Sequence, residues 1–115
     1  MQTPLISILI PFKNTESYLG DCLDSIVKQT YSNWELLIVD DNSSDTSYKL
    51  VQNYANSDAR IQLLKNEGSG IIEALRTGYK HAKGTFVTRM DSDDVMALNK
   101  LEKMQQPLVT YGEGH

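Results

Sequence analysis

The sequence predicts an α/β fold built on a parallel sheet. Three observations carry this. Short runs are almost wholly apolar and β-branched, as in strands covered on both faces; the stretches between them repeat apolar residues at helical spacing; and acidic or polar clusters follow the runs directly.

The first run is Leu5-Ile6-Ser7-Ile8-Leu9-Ile10, which Pro11 is expected to stop because proline cannot donate to a ladder. Leu19, Cys22, Leu23, Ile26 and Val27 then predict a helix from about Ser17 to Gln29. Trp34 to Val39 reads as the second strand, and Asp40-Asp41-Asn42-Ser43-Ser44 as the polar loop beyond its carboxyl end. Tyr48, Val51, Tyr54 and Ala55 give a second helix, with Ser44 or Asp45 as its N-cap, and Ile61 to Leu64 a third strand.

Gly68 and Gly70 mark a loop, after which Ile71, Ile72, Leu75, Tyr79 and Ala82 define the apolar face of a third helix ending at Gly84. Phe86 to Thr88 reads as a buried fourth strand running into Asp91, Asp93 and Asp94. Leu98, Leu101 and Met104 place one more helix after the acids, which Pro107 ends. Strand–helix alternation with right-handed crossovers, reversed about strand one, gives the order three-two-one-four with helices on both faces.

A chain of 115 residues and net charge −4 holds one domain or part of one, and no basic cluster marks a nucleic-acid surface. No apolar run approaches the roughly 20 residues of a membrane span. The lone Cys22 excludes an internal disulfide and no signal-like segment opens the chain, so a cytoplasmic setting is expected, with the inner face of the membrane as the other place that fits. Cys22 keeps step with Leu19, Leu23 and Ile26, so it reads as a small buried residue.

Carboxylates this close repel one another, and the relief is a raised pKa, solvent exposure or a bound cation, which hard oxygen ligands would select as magnesium, calcium or manganese. Asp91 and Asp93 are read as the metal pair, whereas Asp94 reads as a helix cap. Asp40 is assigned an Asx turn and Asp41 a ligand contact. The turn Pro11-Phe12-Lys13-Asn14-Thr15-Glu16 has no glycine to cradle phosphate, so phosphate charge must be met elsewhere, and a divalent cation on Asp91 and Asp93 could supply it.

Taken together, Ser7 to Pro11 with Asn14, Ser25-Ile26-Val27-Lys28-Gln29-Thr30-Tyr31, Trp34 to Asp45, Lys83-Gly84-Thr85-Phe86 and Met90 to Asp94 resemble, in order and spacing, the nucleotide-binding half of a family 2 glycosyltransferase with the Rossmann-like GT-A fold. The resemblance covers about residues 5 to 104. Arg76 stands where many relatives carry asparagine, and Ala97-Leu98-Asn99-Lys100 replaces their Leu-Pro-Asp/Glu-Arg. The resemblance implies an Asp-x-Asp motif with Asp93 on manganese or magnesium and Asp91 near the ribose or metal. It also implies Asp41 accepting from uracil and Pro11, Phe12 and Lys13 lining the base pocket. The implied activity is inverting transfer from a nucleotide-diphosphate sugar, a UDP-sugar, to a saccharide or glycolipid acceptor in cell-surface polysaccharide or glycoconjugate synthesis. Residues 1–115 would be a donor-binding fragment, inactive alone, with the general base beyond residue 115.

Two other readings compete. Leu37-Ile38-Val39-Asp40-Asp41-Asn42 imitates the acidic pair of a two-component receiver domain, but that pair follows a receiver's first strand and here follows the second. A non-catalytic α/β module would leave the acids as a solvated loop.

Overall fold

A computed structural model of the chain describes residues 4–105. Its elements are β1 (Ile6–Phe12), α1 (Glu16–Val27), β2 (Trp34–Asp40), α2 (Ser47–Ser57), β3 (Ile61–Lys65), α3 (Ile71–His81), β4 (Phe86–Arg89) and α4 (Lys100–Met104). The four strands form one parallel sheet in the order β3-β2-β1-β4, as the sequence predicts. Every carboxyl end therefore opens on the same edge.

β1 is buried along its whole length because it is central, with β2 on one side, β4 on the other and helices over both faces. Ile6, Ile8 and Ile10 face Leu19, Leu23 and Ile26 of α1 in the main core, which Leu36, Ile38 and Val51 extend. α3 covers the opposite face, across β1, β2 and β3.

Pro11 lies within β1 rather than ending it. The Met90 N–H donates to Leu9 O (3.0 Å), so Leu9 faces β4, and Pro11, two residues on, faces the same side. The β4 ladder stops at the Leu9–Arg89 pair, so the missing proline N–H interrupts nothing.

α3 meets the sheet through Ala74, Thr77 and Gly78, whereas Ile71, Ile72 and Tyr79 of the predicted apolar face are 49, 67 and 65% exposed. Small side chains explain this orientation. A Cβ on Gly78 would stand 3.4 Å from Leu9 Cδ2 and Val39 Cγ2, so the helix rests directly on the strand side chains and its larger residues are displaced outward. β4 is also less buried than its sequence predicts, with Phe86 38% and Val87 42% exposed, because it is the outer strand and pairs only with β1.

Two polar clusters fix the amino edge of the sheet. Ser7 Oγ donates to Glu35 Oε2 (2.6 Å) and accepts from Gly84 N (2.8 Å), while Lys83 N donates to the same carboxylate oxygen (2.6 Å). Trp34, at the start of β2, lies under the Arg60 guanidinium at 3.8 Å from the ring centre. Asp58 fixes that guanidinium through paired bonds of 3.0 and 2.7 Å, and these bonds hold the Asp58 carboxyl below its usual range.

No helix among the described residues is long and apolar enough to cross a membrane. Pro107, predicted to end the last helix, lies outside the described residues.

Gly84 tests the packing at the amino edge. A Cβ there would lie 2.5 Å from Ser7 Oγ and 2.7 Å from both Leu5 O and Ser7 N. Gly84→Ala should therefore lower unfolding stability by about 1–3 kcal/mol, because backbone has to move. In Gly78→Ala the mild contact is offset by about 1 kcal/mol of helix propensity. Urea denaturation showing equal losses for the two variants would contradict this account.

Candidate functional site

The carboxyl ends of β1, β2 and β4 carry the predicted site residues, each placed by the end of its strand. A cavity of about 130 Å³ opens there, lined by Pro11, Phe12, Lys13, Thr15, Asp41, Ile71 and Ser92. Four predicted residues, Pro11, Phe12, Lys13 and Asp41, thus share one wall system. Ser92 brings the acidic turn to the cavity, with Asp91 and Asp93 on either side of it in the chain. Thr15, Ile71 and Ser92 were not anticipated as lining residues. Gly70 just before Ile71 signals only a loop, and nothing local says which cavity a loop will meet.

Asp40 and Asp41 face different partners. Asp40, 6% exposed, accepts from Ser43 N (3.0 Å), three residues on rather than the two of the expected Asx turn, so it braces the loop after β2 and does not open α2, whose N-cap is Thr46. Asp41 is half-buried, and its Oδ1 accepts from Asn66 Nδ2 (2.9 Å) and Gly70 N (3.0 Å). Both bonds go to one oxygen, which orients the carboxylate and leaves Oδ2 to accept from a ligand. Asn66 and Gly70 are thus the orienting partners that sequence reasoning missed. Gly70 can play this part because it sits at φ 90°, a conformation that a side chain would strain.

The loops after β1 and β2 are tied together. Asn14, at φ 51°, accepts through Oδ1 from Ser44 N (2.8 Å) and Asp45 N (3.3 Å), and its own N–H donates to Ser43 Oγ (3.1 Å). Thr15 N donates to Ser47 Oγ (3.0 Å), and Thr46 Oγ1 donates to Glu16. Neither Ser44 nor Asp45 is the N-cap of α2, which is Thr46 and makes no side-chain cap bond; Asp45 instead accepts from the Ser47 side chain and from Ser47 N (2.9 Å), which holds its carboxyl below the ordinary range.

Asp91, Asp93 and Asp94 form an exposed cluster whose carboxylate oxygens lie within 4.8 Å of one another. Asp94 is not a helix cap. The chain turns there, with Asp94 N donating to Asp91 O (3.1 Å), and α4 begins only at Lys100 with Asn99 as its N-cap. Leu101 is buried in α4 as expected, but Leu98 precedes the helix and is 59% exposed. Arg89 Nη2 lies 3.5 Å from Asp91 Oδ1. Three converging hard oxygen donors with room for water suit magnesium or manganese, which keep several waters and need few carboxylates. Arg76, which departs from the resemblance, lies in the exposed part of α3 and pairs with Glu73 at 3.4 Å.

Cys22 is buried beneath the acidic turn, and burial, followed by the Asp94 and Asp93 charges, pushes its thiol up to about 12. A thiol so protonated is structural rather than nucleophilic. A larger hollow of about 330 Å³ lies between α1 and α2, but its carboxylates are engaged: Asp24 by Tyr54 Oη (2.6 Å) and Asp58 by Arg60 (2.7 Å). The strand-end cavity is the better site, because oriented polar groups converge there.

A parallel α/β sheet with a cavity and two acidic loops at its carboxyl edge defines a Rossmann-like protein of the nucleotide-binding kind. The chain belongs to glycosyl transferase family 2, whose family model matches residues 7–114. It is 45% identical over 104 residues to the Escherichia coli UDP-Glc:alpha-D-GlcNAc-diphosphoundecaprenol beta-1,3-glucosyltransferase WfgD, covering 89% of this chain and 40% of that protein. It is 37% identical over 106 residues to glycosyltransferase GlyA of Streptococcus pneumoniae, covering 92% of this chain and 15% of that one. Among solved structures, it is similar to Staphylococcus aureus TarS 1-349 in complex with UDP-GlcNAc, with TM-score 0.84, 27% identity and coverage of 93% of this chain and 32% of that one. It is also similar to a mannosyltransferase from Pyrobaculum calidifontis in complex with GDP-Man and Mn2+, with TM-score 0.74, 27% identity and coverage of 82 and 29%. The chain thus spans less than half the length of each of these proteins, and its fold is GT-A. The receiver reading is set aside by the family match and by the acidic pair following β2.

The Asn14 tie gives a test of the wall. Asn14→Ala should cost about 2–3 kcal/mol, since a left-handed alanine is strained by about 1–2 kcal/mol and the amide bonds are lost. Asn14→Gly should recover the strain part only. Chemical denaturation that ranks the two variants the other way would refute this account of the loop.

Proposed function

We propose that residues 1–115 are the donor-binding part of a glycosyltransferase that moves a sugar from a UDP-sugar to an acceptor hydroxyl. The observation that carries the reading is the single cavity at which Pro11, Phe12, Lys13 and Asp41 meet the turn holding Asp91 and Asp93. The UDP-GlcNAc complex of TarS and the Mn2+ complex of the mannosyltransferase support it by similarity.

In this reading Pro11, Phe12 and Lys13 line the base, and Asp41 accepts a uracil N–H through Oδ2 while Asn66 and Gly70 hold Oδ1. Asp93 and Asp91 would hold manganese or magnesium, which when bound would supply Lewis-acid stabilisation of charge on the leaving diphosphate. The acceptor hydroxyl attacks the anomeric carbon directly, with inversion. The general base belongs to the acceptor-binding part of the larger GT-A domain, so residues 1–115 bind donor without turning it over. The acceptor is a saccharide or glycolipid, the process cell-surface polysaccharide or glycoconjugate synthesis, and the place the cytoplasm at the inner face of the membrane.

Asp93→Asn in the whole enzyme keeps the side chain's shape and removes one negative ligand. Metal-dependent turnover should fall by orders of magnitude, since such polarisation is worth several kcal/mol, while thermal unfolding is unchanged. Calorimetry should show UDP binding strengthened by Mn2+ in the parent and much less in Asp93→Asn. Identical UDP affinity with and without metal in the parent would sink the metal assignment.

A further inference from the structure

Residues 90–99, between β4 and α4, form neither helix nor strand, so their backbone groups need partners from outside the segment. One stripe at the carboxyl half of α1 supplies them. Ser25 and Gln29 are four residues apart and so share a face, which Cys22 continues three residues earlier. Cys22 Sγ lies 3.8 Å from Asp91 O. Ser25 Oγ donates to Cys22 O (2.6 Å) and accepts from Met96 N (2.9 Å).

Gln29, just past α1, makes the fullest use of its amide. Nε2 donates to Ala97 O (2.6 Å) and Ser25 O (3.2 Å), and Oε1 accepts from Leu101 N (3.1 Å). Gln29 is only 8% exposed and its bond to Leu101 N is buried, while the bonds to Ala97 O and Ser25 O are part-buried. Next to it, Thr30 N donates to Leu98 O (3.1 Å).

The acidic turn is therefore anchored on both sides. Upstream, Met90 N bonds to Leu9 O in β1; downstream, Met96 and Ala97 are held by Ser25 and Gln29. Between these anchors three like-charged carboxylates crowd within 4.8 Å, an arrangement whose repulsion tends to spread an untethered loop. We propose that Gln29, assisted by Ser25, is a positioning residue for the metal-holding turn: its amide fixes the downstream anchor and so keeps the Asp91, Asp93 and Asp94 carboxylates converged. This inference rests on the metal reading above. Gln29 touches neither donor nor metal and acts only through the turn.

The test compares Mn2+ binding with metal-free UDP binding in the whole protein carrying Gln29→Leu. Pro11, Phe12, Lys13 and Asp41 take no bond from Gln29 and only Ser92 of the cavity wall lies on the turn, so metal-free UDP affinity should fall far less than Mn2+ affinity. Mn2+ affinity, read by calorimetry or by the signal of free Mn2+ in electron paramagnetic resonance, should fall by about 10–100-fold, the usual loss when an orienting partner is removed. Should Gln29→Leu fail to fold, Gln29→Glu makes the same comparison, because it keeps the acceptor for Leu101 N and loses the donor to Ala97 O. Mn2+ affinity equal to the parent's in the folded variant would overturn this inference alone. A parallel loss of metal-free UDP affinity would overturn it too, by making Gln29 a general structural residue. Failure of the parent to bind Mn2+ would overturn the metal reading and this inference together.

Discussion

The unequal length of the two ladders on β1 is the constraint from which the rest of the site follows. Against β2 the pairing runs to Phe12 and Asp40, whereas against β4 it ends at Leu9 and Arg89. Beyond that point one side of β1 has no strand beside it. Pro11 can occupy the open position, and the chain leaving β4 turns out of the sheet early, so the acidic turn fills the edge where a longer strand would have run.

What then makes the edge a site rather than a set of loose loops is cross-linking by short polar side chains. Asn14 joins the first loop to the second, and Asn66 with Gly70 joins the second to the third through Asp41. Gln29 and Ser25 join α1 to the turn after β4. Each link is worth only about 1 kcal/mol by itself, but each satisfies backbone or carboxylate groups that irregular chain would otherwise leave to water. The cavity wall is thus ordered by side chains that need not touch a ligand.

The sheet order was legible because β1 and β2 are continuous apolar runs and each is followed by helical spacing. Such a pattern admits few topologies. The polar loop beyond β2 was legible too, because Asp40-Asp41-Asn42-Ser43-Ser44 breaks the apolar run abruptly. α3 was misread because periodicity weighs large apolar residues, while the face that packs is the one with least bulk, Ala74 and Gly78. Pro11 was misread because its cost depends on whether a neighbouring strand is present, which is a fact about β4. Asp94 resembled a cap only so long as a helix was assumed to start beside it. Asn66 could not have been found locally: its amide reaches Asp41 across 25 positions of chain. Asn14 did carry a signal, because asparagine tolerates the left-handed backbone that the turn requires.

The position of Trp34 has a spectroscopic consequence. It is the only tryptophan in the chain, and it begins β2 at the end opposite Asp40, roughly 20 Å away at strand rise. Its indole is buried beneath Arg60 and remote from the cavity, so ligand filling the strand ends leaves its surroundings unaltered while loss of the core exposes it. Tryptophan emission from residues 1–115 is accordingly a gauge of unfolding rather than of ligand occupancy, and donor binding to them is followed by heat or by a probe on the ligand itself.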